Sequence, residues 1–147
     1  FGTPALAAAI NHYAEGKILF PPSMLWPNNP SYGILIDRGF LKNKSDVAKK
    51  FLVLHEEATA LLRNDPEDAS RIISGYIGFI ERELVYDTLM ISPKYCAKLT
   101  EEYISATIEF VKTLKRLGYI SSEVERGRIF DLSLIEMMHP EEDHYAI

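Results

Sequence analysis

The sequence has little of what marks several protein classes. Cys96 is the single cysteine among 147 residues, so no disulfide can form within the chain, and this cysteine count is compatible with any compartment. No apolar run approaches the roughly 18 residues of a membrane-spanning helix. Sixteen Lys and Arg stand against 21 Asp and Glu, a formal net charge of −5. This balance argues against a broad basic surface for nucleic acid.

Motifs of catalysis are also missing. The chain has no Gly-x-Ser-x-Gly elbow, no phosphate-binding loop and no dinucleotide glycine fingerprint. Lys94 and Lys98 stand close to Cys96 in sequence and would favour a reactive thiolate. No histidine or asparagine lies near enough in sequence to complete a nucleophilic set, so a small core residue is the favoured interpretation. We expect no enzymatic activity and no cofactor.

The composition that is present is that of an ordinary globular domain. The chain is 47% hydrophobic and 25% charged, and its length is enough for one domain with a real core. It starts without a methionine, and residues 4–10 already have the pattern of a structural element. We therefore expect the displayed chain to begin inside a larger protein, with any targeting signal outside it.

Capping signals and apolar periodicity predict helices over most of the chain. Thr3 and Pro4 begin the first helix and Gly16 ends it. Further helices are predicted over residues 46–63, 66–77, 80–89, 100–117 and 132–138. In the helix over 46–63, Ser45 or Asp46 is the expected cap. Its spacing of three and four predicts one buried stripe, formed by Val47, Phe51, Leu54, Ala58 and Leu61.

Two short apolar runs, residues 17–20 and 34–36, are predicted as strands. Two strands of this length cannot form a stable sheet by themselves. Either the chain is a helical domain with a small hairpin, or the strands complete a sheet whose other members lie elsewhere. The alternation of strands and helices in residues 4–63 favours the second option. The predicted fold class is therefore α/β.

Two segments are candidates for ligand binding. The helix start at Gly2 and Thr3 could offer free backbone amides to a polar or anionic group, and ordinary capping explains it equally well. The proline-stiffened segment 26–33 contains Trp26, Ser31 and Tyr32. An aromatic side chain there could line a ligand cleft or fill the core beneath a loop.

The histidines were considered as metal ligands. His12 and His55 have no partner at metal-ligand spacing and are expected to be structural. His139 and His144 flank the acidic segment 140–143, where nitrogen and oxygen ligands could hold a divalent ion. A solvated chain terminus is the alternative, and it is favoured. No metal site is predicted.

The order of the N-terminal motifs resembles a known family. A helix with an early proline is followed by Gly-Lys-Ile-Leu, Leu-Trp-Pro-Asn-Asn-Pro, Gly-Ile-Leu-Ile-Asp-Arg-Gly-Phe-Leu and Asn-Asp-Pro-Glu-Asp-Ala. This order is similar to the C-terminal half of the periplasmic solute-binding proteins of ABC transporters, in the nitrate/sulfonate/taurine and thiamine-precursor-like family. The resemblance covers residues 1–80, with 81–147 as a general helical tail.

The resemblance implies a two-lobed, hinged fold, the type II periplasmic-binding-protein architecture, with this chain as its C-terminal, mostly helical part. Residues 1–24 would end the second lobe, 25–33 would be a hinge connection, and 34–147 would belong to the first lobe. Ligand-binding residues would be Gly2, Thr3, Trp26, Ser31 and Tyr32. Thr3 stands where relatives often carry an acid, which leaves the charge of the ligand open.

The function implied is that of an importer component outside the cytoplasm, in the periplasm or its equivalent. It would capture a small polar solute between its lobes and deliver it to the transporter permease. It would contact the membrane only through the permease or a lipid anchor outside this chain. The alternative is a self-contained helical protein-interaction module, in which the helices over 46–63 and 100–117 present a groove to a partner.

Overall fold

The described residues of the computed structural model are 2–21, 24, 32–92, 95–142 and 144. Regular structure within them is entirely helical. In chain order the helices are α1 (Pro4–Ala14), α2 (Arg38–Asn43), α3 (Ser45–Asn64), α4 (Pro66–Ile77), α5 (Arg82–Ile91), α6 (Glu101–Arg116), α7 (Arg126–Ile129) and α8 (Ile135–Met138). None of the helices in these ranges is both long and apolar enough to cross a bilayer.

The α/β fold predicted from the sequence is wrong, because no described residue lies in a strand. Residues 17–20 and 34–36 were both predicted as strands and form no ladder within the described ranges. Leu19 and Leu35 are 83% and 97% exposed, so neither run is covered on both faces. A strand is stable only where a neighbour takes up its backbone hydrogen bonds. The periplasmic-binding-protein-like architecture is therefore replaced by an all-α one, and the predicted hinge at 25–33 falls mostly outside the described residues.

Local signals placed most of the helices correctly. Thr3, Asp65 and Thr100 each accept a hydrogen bond from a backbone N–H in the first turn of α1, α4 and α6. Gly78 ends α4 with a φ of 81°, the left-handed region where a side chain is strained. A helix over Arg38–Asn43 was not predicted. Its cap is Asp37, which directly follows the predicted strand 34–36.

The chain divides into two compact units. The first unit comprises residues 1–20, 54–96 and 144–147. In it, α1 and α4 each pack against α5, and its buried apolar side chains are Ala8, Ala69, Val85 and Cys96. The hydroxyl of Ser74 donates to the Ile80 carbonyl at 2.6 Å and so closes the turn between α4 and α5.

The ring of His12, on α1, lies within salt-bridge distance of two carboxylates of the same unit. Its nitrogens are 3.4 Å from Glu81 and 3.5 Å from Asp87, and these contacts link α1 to the start and the middle of α5. The structural role predicted for His12 agrees with this arrangement.

The second unit comprises residues 21–53 and 97–143. Its buried apolar side chains are Ala48, Leu52, Ile104, Val111 and Ile135. Polar contacts join its segments: Arg38 donates to the Arg128 carbonyl at 2.7 Å, and Arg126 donates to both carboxylate oxygens of Glu101. The amine of Lys98 donates to the carbonyls of residues 139, 140 and 141. α3 contributes its first half to this unit and its second half to the other.

Candidate functional site

The predicted ligand-binding residues at the N-terminus cap a helix. The Thr3 hydroxyl accepts a hydrogen bond from the Leu6 N–H at 3.3 Å, and the Thr3 carbonyl accepts one from Ala7. Gly2 precedes the cap, with the Leu6 side chain close enough that a Cβ there would meet it at 2.7 Å. The arrangement agrees with ordinary capping, the alternative left open above. A ligand role for Gly2 and Thr3 stays a prediction.

The other predicted ligand-binding residues belong to the segment 26–33. Trp26 and Ser31 lie outside the described residues. Tyr32 is in the second unit, whereas Gly2 and Thr3 are in the first. The Tyr32 side chain is exposed, and its backbone carbonyl accepts a hydrogen bond from the Tyr103 hydroxyl. Gly2 and Thr3 lie together in the first unit because they are adjacent in sequence.

The apolar stripe of α3 has the spacing predicted from the sequence, but the prediction that it is buried is wrong. We expected it to be buried, but Val47 and Phe51 are each 50% exposed and Leu54 is 63% exposed. Ala58 is exposed as well, and Leu61 is half-buried. We call Val47, Phe51, Leu54, Ala58 and Leu61 the outer stripe of α3. Three of its five members, Val47, Phe51 and Leu54, are large apolar side chains that are at least half exposed to solvent.

The buried residues of α3 lie on a second face, next to the outer stripe. Ala48, Leu52 and Thr59 are the buried residues of this helix, and each lies one position beyond an outer-stripe residue. The Thr59 hydroxyl is satisfied by the Glu56 carbonyl at 3.1 Å. The helix is thus apolar over a wider arc than one packing partner can cover. The inner face goes to the core and the outer stripe does not.

Charged side chains flank the outer stripe in an ordered way. Lys50 precedes Phe51, and Glu57 stands one heptad later, before Ala58; both are exposed. Within α3, residues 45–53 carry two basic residues and one acidic residue, whereas residues 54–64 carry two acidic residues and one basic residue. The stripe is therefore basic beside its N-terminal half and acidic beside its C-terminal half.

A cluster of metal-ligand side chains lies within the first unit. A carboxylate oxygen of Glu56, the Cys96 sulfur and a ring nitrogen of His144 all lie within 4.8 Å of one another. Cys96 is buried, as the sequence predicted, while Glu56 and His144 are partly buried. From the sequence, His139 and His144 are candidate ligands on either side of residues 140–143, and His144 is a member of this cluster. No signal in the sequence connected His144 with Glu56 or Cys96.

In the described part of the second unit, shifts in pKa belong mostly to exposed pairs. Hydrogen bonds from Arg126 lower the pKa of Glu101, and hydrogen bonds from Ser133 lower the pKa of Asp131. Partial burial raises the pKa of Tyr103. The partner of Glu101 is Arg126, the first residue of α7, and the partner of Asp131 is Ser133, two residues further along the chain. These contacts hold segments of the unit together, and we assign no chemistry to them.

No protein-family model, curated protein or solved structure matches this chain. The resemblance to solute-binding proteins, and the function and location that it implies, therefore stay predictions.

Proposed function

We propose that this chain is a helical protein-interaction module that pairs with a second copy of itself through the outer stripe of α3. The observation that carries the proposal is the exposure of that stripe. The importer function stays a prediction, but it depended on an α/β clamp, and the described residues are all-α. The helical alternative is compatible with the fold, so we develop it here, using α3 in place of a groove between two helices.

The spacing of the outer stripe suits pairing between two helices. Its members are separated by four, three, four and three residues, which is the 3.5-residue repeat of a coiled-coil seam. Exposed apolar surface of this extent on one helix marks an interaction site. α6 offers no equivalent surface, because its apolar residues Ile104 and Val111 are buried in its own unit. We therefore assign the partner surface to α3 and not to α6.

The flanking charges favour a second copy in antiparallel orientation. In an antiparallel coiled coil with Phe51 level with Leu54 of the other copy, Lys50 stands opposite Glu57 of that copy. Two-fold symmetry repeats the pair, so one contact type forms twice. A parallel pairing would place Lys50 beside His55 and Glu57 beside Leu62, with no such match. α3 is thus complementary to itself in one orientation.

Sedimentation velocity over a wide range of protein concentration tests the proposal. The full chain should form a dimer, and Phe51→Glu should be monomeric with an unchanged helical circular dichroism spectrum, because a charge would be buried at the seam. Phe79→Glu is the matched control. Phe79 is 86% exposed and lies outside α3, so this variant should still dimerise.

Charge variants in the same experiment test the orientation. Lys50→Glu and Glu57→Lys should each weaken the dimer, and the double variant should restore it. Each exposed pair contributes about 0.2–1 kcal/mol, so two symmetric pairs change the dimer constant roughly two- to thirty-fold. A wild-type chain that stays monomeric, or a Phe51→Glu variant that dimerises like the wild type, would refute the proposal. Single charge variants without effect would refute the antiparallel arrangement.

A further inference from the structure

We infer that Glu56, Cys96 and His144 form a binding site for a divalent cation of the zinc class. All three belong to the first unit, and their ligand atoms lie within 4.8 Å of one another. They are 40 and 48 positions apart in sequence, so only the fold brings them together. The inference is independent of pairing through α3, because Glu56 is not a member of the outer stripe.

The first ligand is positioned by its helix and by a neighbouring side chain. Glu56 stands in the middle of α3, and one of its carboxylate oxygens lies 3.1 Å from Nδ1 of His55. Its side chain is only 18% exposed. A second residue that holds a ligating carboxylate in place is the usual arrangement around bound metal ions. The structural role predicted for His55 fits this contact.

The second ligand, Cys96, is held near the C-terminal end of α3. Arg63, in the last turn of α3, donates to the backbone carbonyl of Tyr95 at 2.6 Å. This bond fixes the residue immediately before Cys96 against α3. The thiol is therefore kept near Glu56 by a contact that does not involve the ligand atoms themselves. Cys96 is buried, which shields a bound ion from water.

The mixture of donor atoms determines the class of ion. Sulfur with nitrogen and one carboxylate oxygen suits Zn²⁺, while Ca²⁺ and Mg²⁺ require oxygen ligands. Bonds of about 2.0–2.3 Å in tetrahedral geometry would separate the ligand atoms by roughly 3.3–3.8 Å. Separations of up to 4.8 Å need only small side-chain rotations to reach that range. The bound ion would join α3, residue 96 and residue 144.

Cobalt titration of the full chain under reducing conditions tests the site. Co²⁺ is a spectroscopic substitute for Zn²⁺, and a thiolate ligand produces a charge-transfer band in the near ultraviolet. We expect this band to saturate at one equivalent per chain and to disappear when Zn²⁺ is added. Cys96→Ser should abolish it. Glu56→Gln and His144→Gln should each weaken Zn²⁺ binding at least about tenfold, since changes even outside the ligand set commonly cost 10–100-fold.

Matched controls separate ligand loss from structural damage. Glu83→Gln changes an exposed carboxylate on α5 of the same unit, and His12→Gln removes a histidine of that unit that contacts other acids. Both should bind Zn²⁺ like the wild type. His144→Gln keeps the test valid if Cys96→Ser fails to fold, because residue 144 lies outside the helices. Absence of the band, its persistence in Cys96→Ser, or equal losses in Glu56→Gln and Glu83→Gln would overturn the inference.

Discussion

α3 and α6 are similar in sequence pattern but different in what covers them. Both carry apolar residues at intervals of three and four. In α6, Ile104 and Val111 lie on that stripe and are buried. In α3 the corresponding stripe is exposed, and Ala48 and Leu52 are buried instead. Periodicity therefore identifies an apolar face, but it does not show whether the rest of the chain covers it.

The difference follows from how the apolar residues are distributed around each helix. α6 presents polar residues such as Ser105, Glu109 and Lys112 to solvent, so one face is clearly apolar. α3 carries apolar residues on two adjacent faces. The face that includes the small residue Ala48 is buried in the core, and the larger side chains Val47 and Phe51 are half exposed.

The largest expected difference between the two helices is in the free energy of unfolding that is lost when a stripe residue is truncated to alanine. Ile104→Ala should lower the free energy of unfolding by about 2–5 kcal/mol, because it leaves a cavity in the core. Leu54→Ala removes a similar volume from an exposed position of α3 and should cost less than about 0.5 kcal/mol in the monomer. Urea unfolding of both variants in a Phe51→Glu background measures this. Equal losses would contradict the comparison.

The beginnings of the two helices should differ by a smaller amount. Thr100 caps α6 by accepting a hydrogen bond from the Tyr103 N–H at 3.2 Å, so Thr100→Ala should cost about 1 kcal/mol. Ser45, which we had predicted as a cap of α3, is its first helical residue, and the Lys44 carbonyl accepts from Val47 and Ala48. Ser45→Ala should therefore change stability by less than about 0.5 kcal/mol. The same unfolding measurement applies, and a larger loss for Ser45→Ala would show that it does cap α3.

The smallest expected effect concerns the ion pair at the start of α6. The side-chain hydrogen bonds from Arg126 lower the pKa of Glu101 in the folded state. A carboxyl group whose pKa is lower when folded adds stability above its unfolded pKa, and this contribution is lost as the pH falls through the acidic range. Because the pair is exposed, the effect is small.

Glu101→Gln should lower stability slightly at neutral pH and flatten its decline in acid. Glu102→Gln, which leaves the pair with Arg126 intact, is the control. Thermal unfolding measured at several pH values from neutral to acidic compares the two variants. A decline in Glu101→Gln as steep as that of the control would show that the pair does not contribute.

The sequence predicted those parts of the fold that depend on neighbours a few residues away. The start and end of α4 follow from Asp65, Pro66 and Gly78, and the start of α6 follows from Thr100. The two predicted strands were wrong because a strand needs a distant partner, which local apolar character cannot supply. Asp37 shows the same limit, since it directly follows the predicted strand 34–36 and instead caps a helix.

The candidate sites divide in the same way. The outer stripe of α3 was located from spacing alone, but its exposure depends on what the remaining segments cover. The cluster of Glu56, Cys96 and His144 had no sequence signal, because its members come from a helix, a connecting segment and the region near residue 144.

By itself, the sequence determined where most helices begin and end, and which sides of them are apolar. Capping and periodicity act within one or two turns, so they can be recognised in a short stretch of residues. Only the tertiary structure decided which apolar side of α3 is buried and which ligand atoms meet, because both depend on contacts between residues far apart in the chain.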